Sequence, residues 1–187
     1  QQMLAQIEKN PKILEDINIL VTSNGHIHRS SCKIDYTFGT PKYVIDDSNN
    51  LKRDGYCGNL FLTKIQLPKI FGSIVNRSEI KKLFDKLFLK PDDIGLRDIK
   101  IYISIIKKAN KITNKNNKKF FVGYIENDNN DLDQLIFQEF KKENIEYINL
   151  SLESKKDYEL YDGHPNKKAN IQRSLIISEH IKTFLIE

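Results

Sequence analysis

The sequence predicts an α/β domain built on a parallel sheet, because strand-like apolar segments alternate along the chain with segments of helical spacing. Three strand-like segments carry this prediction: Ile17 to Val21, Phe120 to Ile125 and Ile145 to Leu150. The segments between the last two, and after the third, have apolar residues three and four positions apart, as crossover helices do. A chain of 187 residues is long enough to bury one hydrophobic core without the help of disulfide cross-links. We therefore expect a single domain over residues 1–187.

The predicted elements follow in the order helix, strand, insertion, helices, strand, helix, strand, loop and helix. Met3 to Ile13 is helix-like, and glycines and prolines predict an irregular insertion of short strands and turns at 30–67. The lysine-rich run from Lys107 to Lys119 is typical of a solvated connection. Four further helices are predicted from their apolar stripes. The stripes are Ile80, Leu83, Phe84 and Leu87; Ile99, Tyr102, Ile103, Ile106 and Ala109; Leu132, Leu135, Ile136 and Phe140; and Ile171, Leu175, Ile177, Ile181, Phe184 and Leu185.

The most informative motif is Asp162-Gly163-His164-Pro165-Asn166, between the last strand-like segment and the C-terminal helix. In extended backbone, residues two apart point the same way, so the Asp162 carboxylate can fix the tautomer of the His164 ring. Pro165 disfavours helical backbone at His164, and Asn166 can cap the helix that follows. The alternative is a simple turn, because all these residue types favour loops.

This motif resembles the last block of the SGNH (GDSL-type) hydrolases, which carries the catalytic Asp and His of that family. The resemblance implies a three-layer α/β/α, flavodoxin-like fold with a parallel sheet, of which this chain would hold the second half. It also implies that His164 is the general base and Asp162 its orienting partner. Chemistry of this kind uses no metal and no organic cofactor.

A second block of the family has an asparagine that helps to form the oxyanion hole, directly after a strand. Thr22-Ser23-Asn24-Gly25 follows the first strand-like segment here, and only Asn24 matches the block. A neutral amide N–H suits the role, since it stabilises negative charge without competing for the proton of His164. The alternative is an ordinary Asn-Gly turn.

The serine nucleophile of the family, in a Gly-Asp-Ser block upstream of the asparagine, has no counterpart in this chain. We therefore expect an N-terminal segment of the same protein to supply the nucleophile and complete the sheet. Asp46-Asp47-Ser48 mimics such a block but comes too late in the chain, and its composition predicts a hairpin turn. Ser30 and Ser31 are weaker candidates, because a triad is defined by geometry that spacing alone cannot show.

Composition limits the other possibilities. The net charge of +5 comes from dispersed lysines, without the interleaved arginines and aromatics of a nucleic-acid surface, so no nucleic-acid partner is expected. No apolar run is long enough to predict a transmembrane segment.

Cys32 and Cys57 could pair in an oxidising compartment or remain free thiols. A secreted or periplasmic location is slightly favoured over the cytoplasm. His26, His28 and Cys32 suggest a metal site, but no fourth ligand is spaced for it.

The predicted function is that of a serine-dependent ester hydrolase or acyl transferase acting on a small acyl ester, either a lipid or an acetylated glycan. One alternative is a catalytically inactive SGNH-like domain that binds or interacts. Another is an unrelated α/β binding domain in which the His164 loop merely leads into a helix.

Overall fold

The structure is a computed structural model, and it describes residues 1–33, 37–58, 94–126, 130–153, 155–161 and 164–186. The chain divides into two compact units: Gln1–Gln6 with His26–Ile106, and Ile7–Gly25 with Lys107–Glu187. The elements, in chain order, are α1 (Gln2–Lys9), a 3-10 turn (Pro11–Ile13), β1 (Ile17–Ser23), α2 (His26–Ser30), β2 (Pro41–Ile45), β3 (Leu51–Tyr56), α3 (Leu96–Lys115), β4 (Lys119–Ile125), α4 (Asn130–Lys142), β5 (Tyr147–Asn149), α5 (Lys155–Tyr158) and α6 (Lys167–Ile186).

The second unit contains a three-stranded sheet in the order β1-β4-β5. Both strand pairs are parallel, with Ile17 opposite Lys119 and Val122 opposite Tyr147. The predicted α/β class and parallel sheet are therefore confirmed. β5 has only three residues because it pairs with β4 over Val122 to Tyr124 alone.

One face of the sheet packs on α4 through aromatic rings. The Tyr124 ring lies edge-on to Phe137 and Phe140, with centroids 5.1 and 5.9 Å apart, and Phe137 stacks on Tyr147 at 5.0 Å. Edge-to-face and stacked pairs are the arrangements that the ring quadrupoles favour. This cluster is the part of the core that fixes α4 against the ends of β4 and β5.

The other face of the sheet packs on α6 but is partly uncovered. The His180 ring of α6 lies 5.0 Å from Phe121 of β4. Residues paired across parallel strands share a face, so Val21, opposite Gly123, lies on this same face. Val21 is 47% exposed and Ile19 is 36% exposed. The face is therefore covered at β4 and open at β1, which is an edge strand in the part of the chain that the structure describes.

In the first unit, β2 and β3 form an antiparallel hairpin. Its turn is closed by bonds between Asp46 and Asn50, where the Asp46 N–H donates to the Asn50 carbonyl at 3.0 Å, and by Asn49 at a φ of 65°. The prediction of a hairpin turn at Asp46-Asp47-Ser48 is confirmed. Cys32 and Cys57 form a disulfide that ties the end of the hairpin to the segment after α2.

Several predicted elements differ from the structure. The first helix ends at Lys9 rather than Ile13, because Pro11 starts a separate 3-10 turn. The lysine-rich run is not a solvated connection: α3 continues to Lys115, and only three residues separate it from β4. His26 and His28 lie on the short helix α2 rather than on a strand. The predicted helix at 78–89 and the end of the insertion, 59–67, lie outside the described residues.

The orientation of α6 agrees only in part with its predicted stripe. Ile177 and Ile181 are partly buried on the side of Arg173 and His180, which contact the sheet side, whereas Ile171 and Leu175 are about half exposed. Isoleucine and leucine recur on more than one side of this helix, so apolar spacing did not single out its buried face.

Candidate active site

The direction of α6 determines where the His164 loop lies. The Arg173 Nε donates to the Leu150 carbonyl, just after β5, at 3.1 Å. Seven residues later His180 Nε2 lies 3.1 Å from the Glu146 carboxylate, just before β5. The helix therefore runs antiparallel to β5. Its first residue, Lys167, stands about 9 Å beyond Arg173 toward the carboxyl end of the strand, at 1.5 Å per residue.

His164 thus lies at the carboxyl edge of the sheet, three residues before α6 begins, and it is exposed. Asn24 directly follows β1, which is parallel to β5, and so it occupies the same edge. One strand separates β1 from β5, a lateral distance of about 10 Å. Open parallel sheets bind their ligands at this edge.

Backbone pairing holds the segment around His164 in a closed loop. The Leu160 N–H donates to the His164 carbonyl at 2.7 Å, and the Asn166 N–H donates to the Tyr158 carbonyl at 2.9 Å. Glu159 and Pro165 form an isolated antiparallel bridge between these bonds. Backbone bonds therefore fix the position of His164 within the loop.

Asn166 links this loop to α6. Its Oδ1 accepts a hydrogen bond from the Ala169 N–H at 3.0 Å, and its Nδ2 donates to the Asp157 carbonyl at 2.9 Å. The first bond is an N-cap, which satisfies one of the free N–H groups at a helix start. The predicted cap is confirmed. Asp162 and Gly163 lie outside the described residues, so the pairing of Asp162 with His164 stays a prediction.

Asn24 lies in a turn between β1 and α2, and it is buried, with 6% of its surface exposed. Its Nδ2 donates to the Asp133 carboxylate of α4 at 2.9 Å. The same Asp133 oxygen accepts the Tyr124 hydroxyl at 2.6 Å. The turn that the sequence offered as an alternative is present, and the Asn24 amide within it is held by a buried carboxylate.

Asp133 was not among the candidate residues from the sequence, although the sequence held a signal for it. In α4 the buried residues are Asp133, Ile136, Phe137 and Phe140, which follow the spacing i, i+3, i+4 and i+7 of one helix face. A carboxylate on the core face of an amphipathic helix requires buried hydrogen-bond donors. Here those donors come from the ends of β1 and β4.

The serines weighed as nucleophiles have other contacts. The Ser30 Oγ, at the end of α2, donates to the His26 carbonyl at 3.0 Å, and the Ser31 Oγ, one residue after α2, lies 3.2 Å from the Ile27 carbonyl and is also hydrogen-bonded to the Asp98 side chain. Ser48 lies in the hairpin turn between β2 and β3. Both serines are therefore engaged in hydrogen bonds, and Ser30 directs its hydroxyl proton to a helix carbonyl, as serines in helices often do.

The metal reading of His26, His28 and Cys32 is not supported, since Cys32 is bonded to Cys57 and offers no thiolate. Burial, followed by the charge of Arg29, lowers the pKa of His26 from 6.5 to about 4. Within the described residues, no group of three or more His, Cys, Asp or Glu side chains is arranged to hold a metal ion.

No helix in the described part of the chain has both the length and the apolar character to cross a bilayer.

No protein-family model, curated protein or solved structure matches this chain. The likeness to the SGNH hydrolases therefore stands on the residues of the His164 loop and on the position of Asn24.

Proposed function

We propose that this chain belongs to a serine-dependent ester hydrolase or acyl transferase of SGNH type. The observation that carries the proposal is the direction of α6, which puts the exposed His164 at the carboxyl edge that Asn24 also occupies. In this proposal His164 removes the proton of a serine and returns it to the leaving alcohol, while Asp162 orients the imidazole. The Asn24 amide donates to the oxyanion of the tetrahedral intermediate.

The substrate proposed is a small acyl ester, either a lipid or an acetylated glycan. Leu160 is half exposed and Tyr161 is fully exposed, in the same closed loop as His164. An aliphatic side chain and an aromatic ring next to the base offer apolar contact to an acyl chain or to the face of a sugar ring.

We propose further that another segment of the same protein completes the sheet beside β1 and carries the nucleophile. Parallel sheets are normally covered on both faces, and an unpaired edge strand invites association. Ile19 and Val21 of β1 are exposed on the face that α6 covers elsewhere, and α6 itself exposes Ile171 and Leu175. An added strand and helix would bury this apolar surface and bring a serine to the carboxyl edge.

Hydrolysis of p-nitrophenyl acetate by the full-length protein tests the proposed reaction. Because loss of a general base costs about 10²- to 10⁴-fold in rate, His164→Ala should reduce kcat by that range. His180→Ala is the matched control, since His180 lies in the same unit near Glu146 and Phe121, toward the other end of the sheet. Equal rates for the wild type and His164→Ala would show that the histidine assignment is wrong.

A fluorophosphonate probe with peptide mapping tests where the nucleophile lies. We expect a label on a serine outside residues 1–187 that disappears in His164→Ala. The second candidate function, an inactive SGNH-like binding domain, is favoured by the hydrogen bonds that engage the hydroxyls of Ser30, at the end of α2, and of Ser31, just after it. A full-length protein with no labelled serine and no hydrolysis would support that function and contradict the enzyme.

A further inference from the structure

We infer that Asp133 is a positioning residue for Asn24, an inference that rests on the proposed function for its catalytic consequence. Asp133 is 1% exposed and lies in the first turn of α4. It accepts the Asn24 amide at 2.9 Å and the Tyr124 hydroxyl at 2.6 Å. These two donors belong to the carboxyl ends of neighbouring strands, β1 and β4.

Packing alone does not explain a carboxylate at this position. Its neighbours on the same helix face are Ile136, Phe137 and Phe140, and an apolar side chain there would avoid the desolvation of a charge, which amounts to several kcal/mol. Two hydrogen bonds and the positive end of the α4 dipole offset that desolvation. The arrangement nevertheless fixes the two donors in a way that an apolar residue could not.

The geometry of an amide makes this fixation useful. A side-chain amide is planar and has two N–H groups and one carbonyl. Once one N–H of Asn24 is bound to Asp133, the plane of the amide and the direction of its second N–H are determined. Electrostatic stabilisation of an oxyanion depends on donors that are oriented before the reaction begins. Tyr124 contributes by holding the carboxylate itself in place.

Asn24, Asp133 and Tyr124 would therefore have different roles at the carboxyl edge. Asn24 would touch the substrate, whereas Asp133 and Tyr124 would act only through Asn24. A change at either of these two residues should therefore lower kcat and leave KM nearly unchanged, because orientation of the oxyanion donor matters most in the transition state.

The experiment compares Asp133→Asn, Asp133→Leu and Tyr124→Phe with Asp98→Asn as the matched control. Asp98 is also a buried carboxylate in the first turn of a helix, where it accepts the Gly95 N–H and the Lys33 ammonium, both at 2.8 Å. The readouts are the side-chain amide resonances of Asn24 in a ¹⁵N–¹H NMR spectrum, and the kcat and KM of ester hydrolysis by the full-length protein.

We expect the Asn24 resonances to shift in Asp133→Asn and Tyr124→Phe and to change most in Asp133→Leu. We expect kcat to fall about 10- to 100-fold in Asp133→Asn and in Tyr124→Phe, which is less than the 10²- to 10³-fold loss of a whole oxyanion donor. Asp98→Asn should lower stability without moving either readout. If both variants at residue 133 fail to fold, Tyr124→Phe still tests the inference through the same two readouts.

Unmoved Asn24 resonances in Tyr124→Phe and Asp133→Asn would overturn the inference, as would shifted resonances with an unchanged kcat. The two proposals fail in different ways. If the wild type hydrolyses no ester, the proposed function fails, while the NMR spectra still decide whether Asp133 orients the Asn24 amide.

Discussion

The close contact between β4 and the end of β5 predicts how Gly123→Ala will act. A Cβ at residue 123 would stand 2.5 Å from Cδ1 of Leu150 and 3.5 Å from Cγ2 of Val21. Ordinary carbon contacts are about 3.5 to 4.0 Å, so the Leu150 methyl group must move by about 1 Å. Leu150 has no exposed surface into which it can turn.

Overpacking of this kind lowers the free energy of unfolding by about 1 to 3 kcal/mol. Alanine is better than glycine within a strand by about 0.5 to 1 kcal/mol, so the net loss expected for Gly123→Ala is about 1 to 2 kcal/mol. Leu150→Ala should lose about 2 to 5 kcal/mol through the cavity that it creates. In the double variant the methyl group introduced at position 123 occupies part of that cavity, and the combined loss should fall short of the sum by about 1 kcal/mol or more.

Guanidinium unfolding followed by circular dichroism measures these differences, provided that the m-value is the same for each variant. Gly95→Ala is the control, because its Cβ would meet only Asp98 Oδ2 at an ordinary 3.6 Å, and its effect should stay within about 0.5 kcal/mol. Strict additivity of Gly123→Ala and Leu150→Ala, or a neutral Gly123→Ala, would refute the steric reasoning.

Three further predictions concern the loops and helix ends. Replacing both Cys32 and Cys57, 25 residues apart, with serine should lower the free energy of unfolding by about 3 kcal/mol; equal denaturation midpoints for the variant and the wild type would contradict this. Asn166→Ala removes the α6 cap and should lower the free energy of unfolding by about 1 kcal/mol, whereas Asn166→Ser should retain most of the cap. Thermal melts that do not separate the two variants would argue against capping. Burial and the charge of Arg29 lower the pKa of His26 to about 4, so the unfolded chain binds more protons between about pH 4 and 6.5, and stability should decline as pH falls through that window. With a discount for the partly exposed ring, the decline is about 2 kcal/mol at most; His26→Gln should abolish it, and a wild-type unfolding free energy that is flat over this window would exclude it.

The parallel sheet could be predicted from the sequence because its strands are short apolar runs separated by long helical stripes. Ile17 to Val21 and Phe120 to Ile125 were located within two residues of β1 and β4. The hairpin turn at Asp46 was also predicted correctly, since turn chemistry is local. The position of each strand and the hairpin turn depend on residues that are close together in the chain, whereas the pairing of β1 with β4 does not.

The features that were missed depend on contacts between distant residues. The five residues of α2 are too few to form a helix by propensity alone, and its buried Ile27 supplies part of the stabilisation that the local sequence lacks. The inward face of α6 was predicted only in part, because Arg173 and His180, which lie on it, reach the sheet side through a backbone carbonyl and a carboxylate. Asp133 was missed because only the fold brings it to Asn24, 109 positions earlier.

The backbone bonds from Tyr158 to Asn166 have a consequence for variation in this loop. They set the number of residues between the bonded positions, with three residues between Leu160 and His164. Inserting or deleting one residue between Leu160 and His164 would shift the histidine out of register with the helix behind it. Homologous loops, natural or engineered, should therefore hardly differ in length, and the proposed role of Asp162 would restrict their composition at that position.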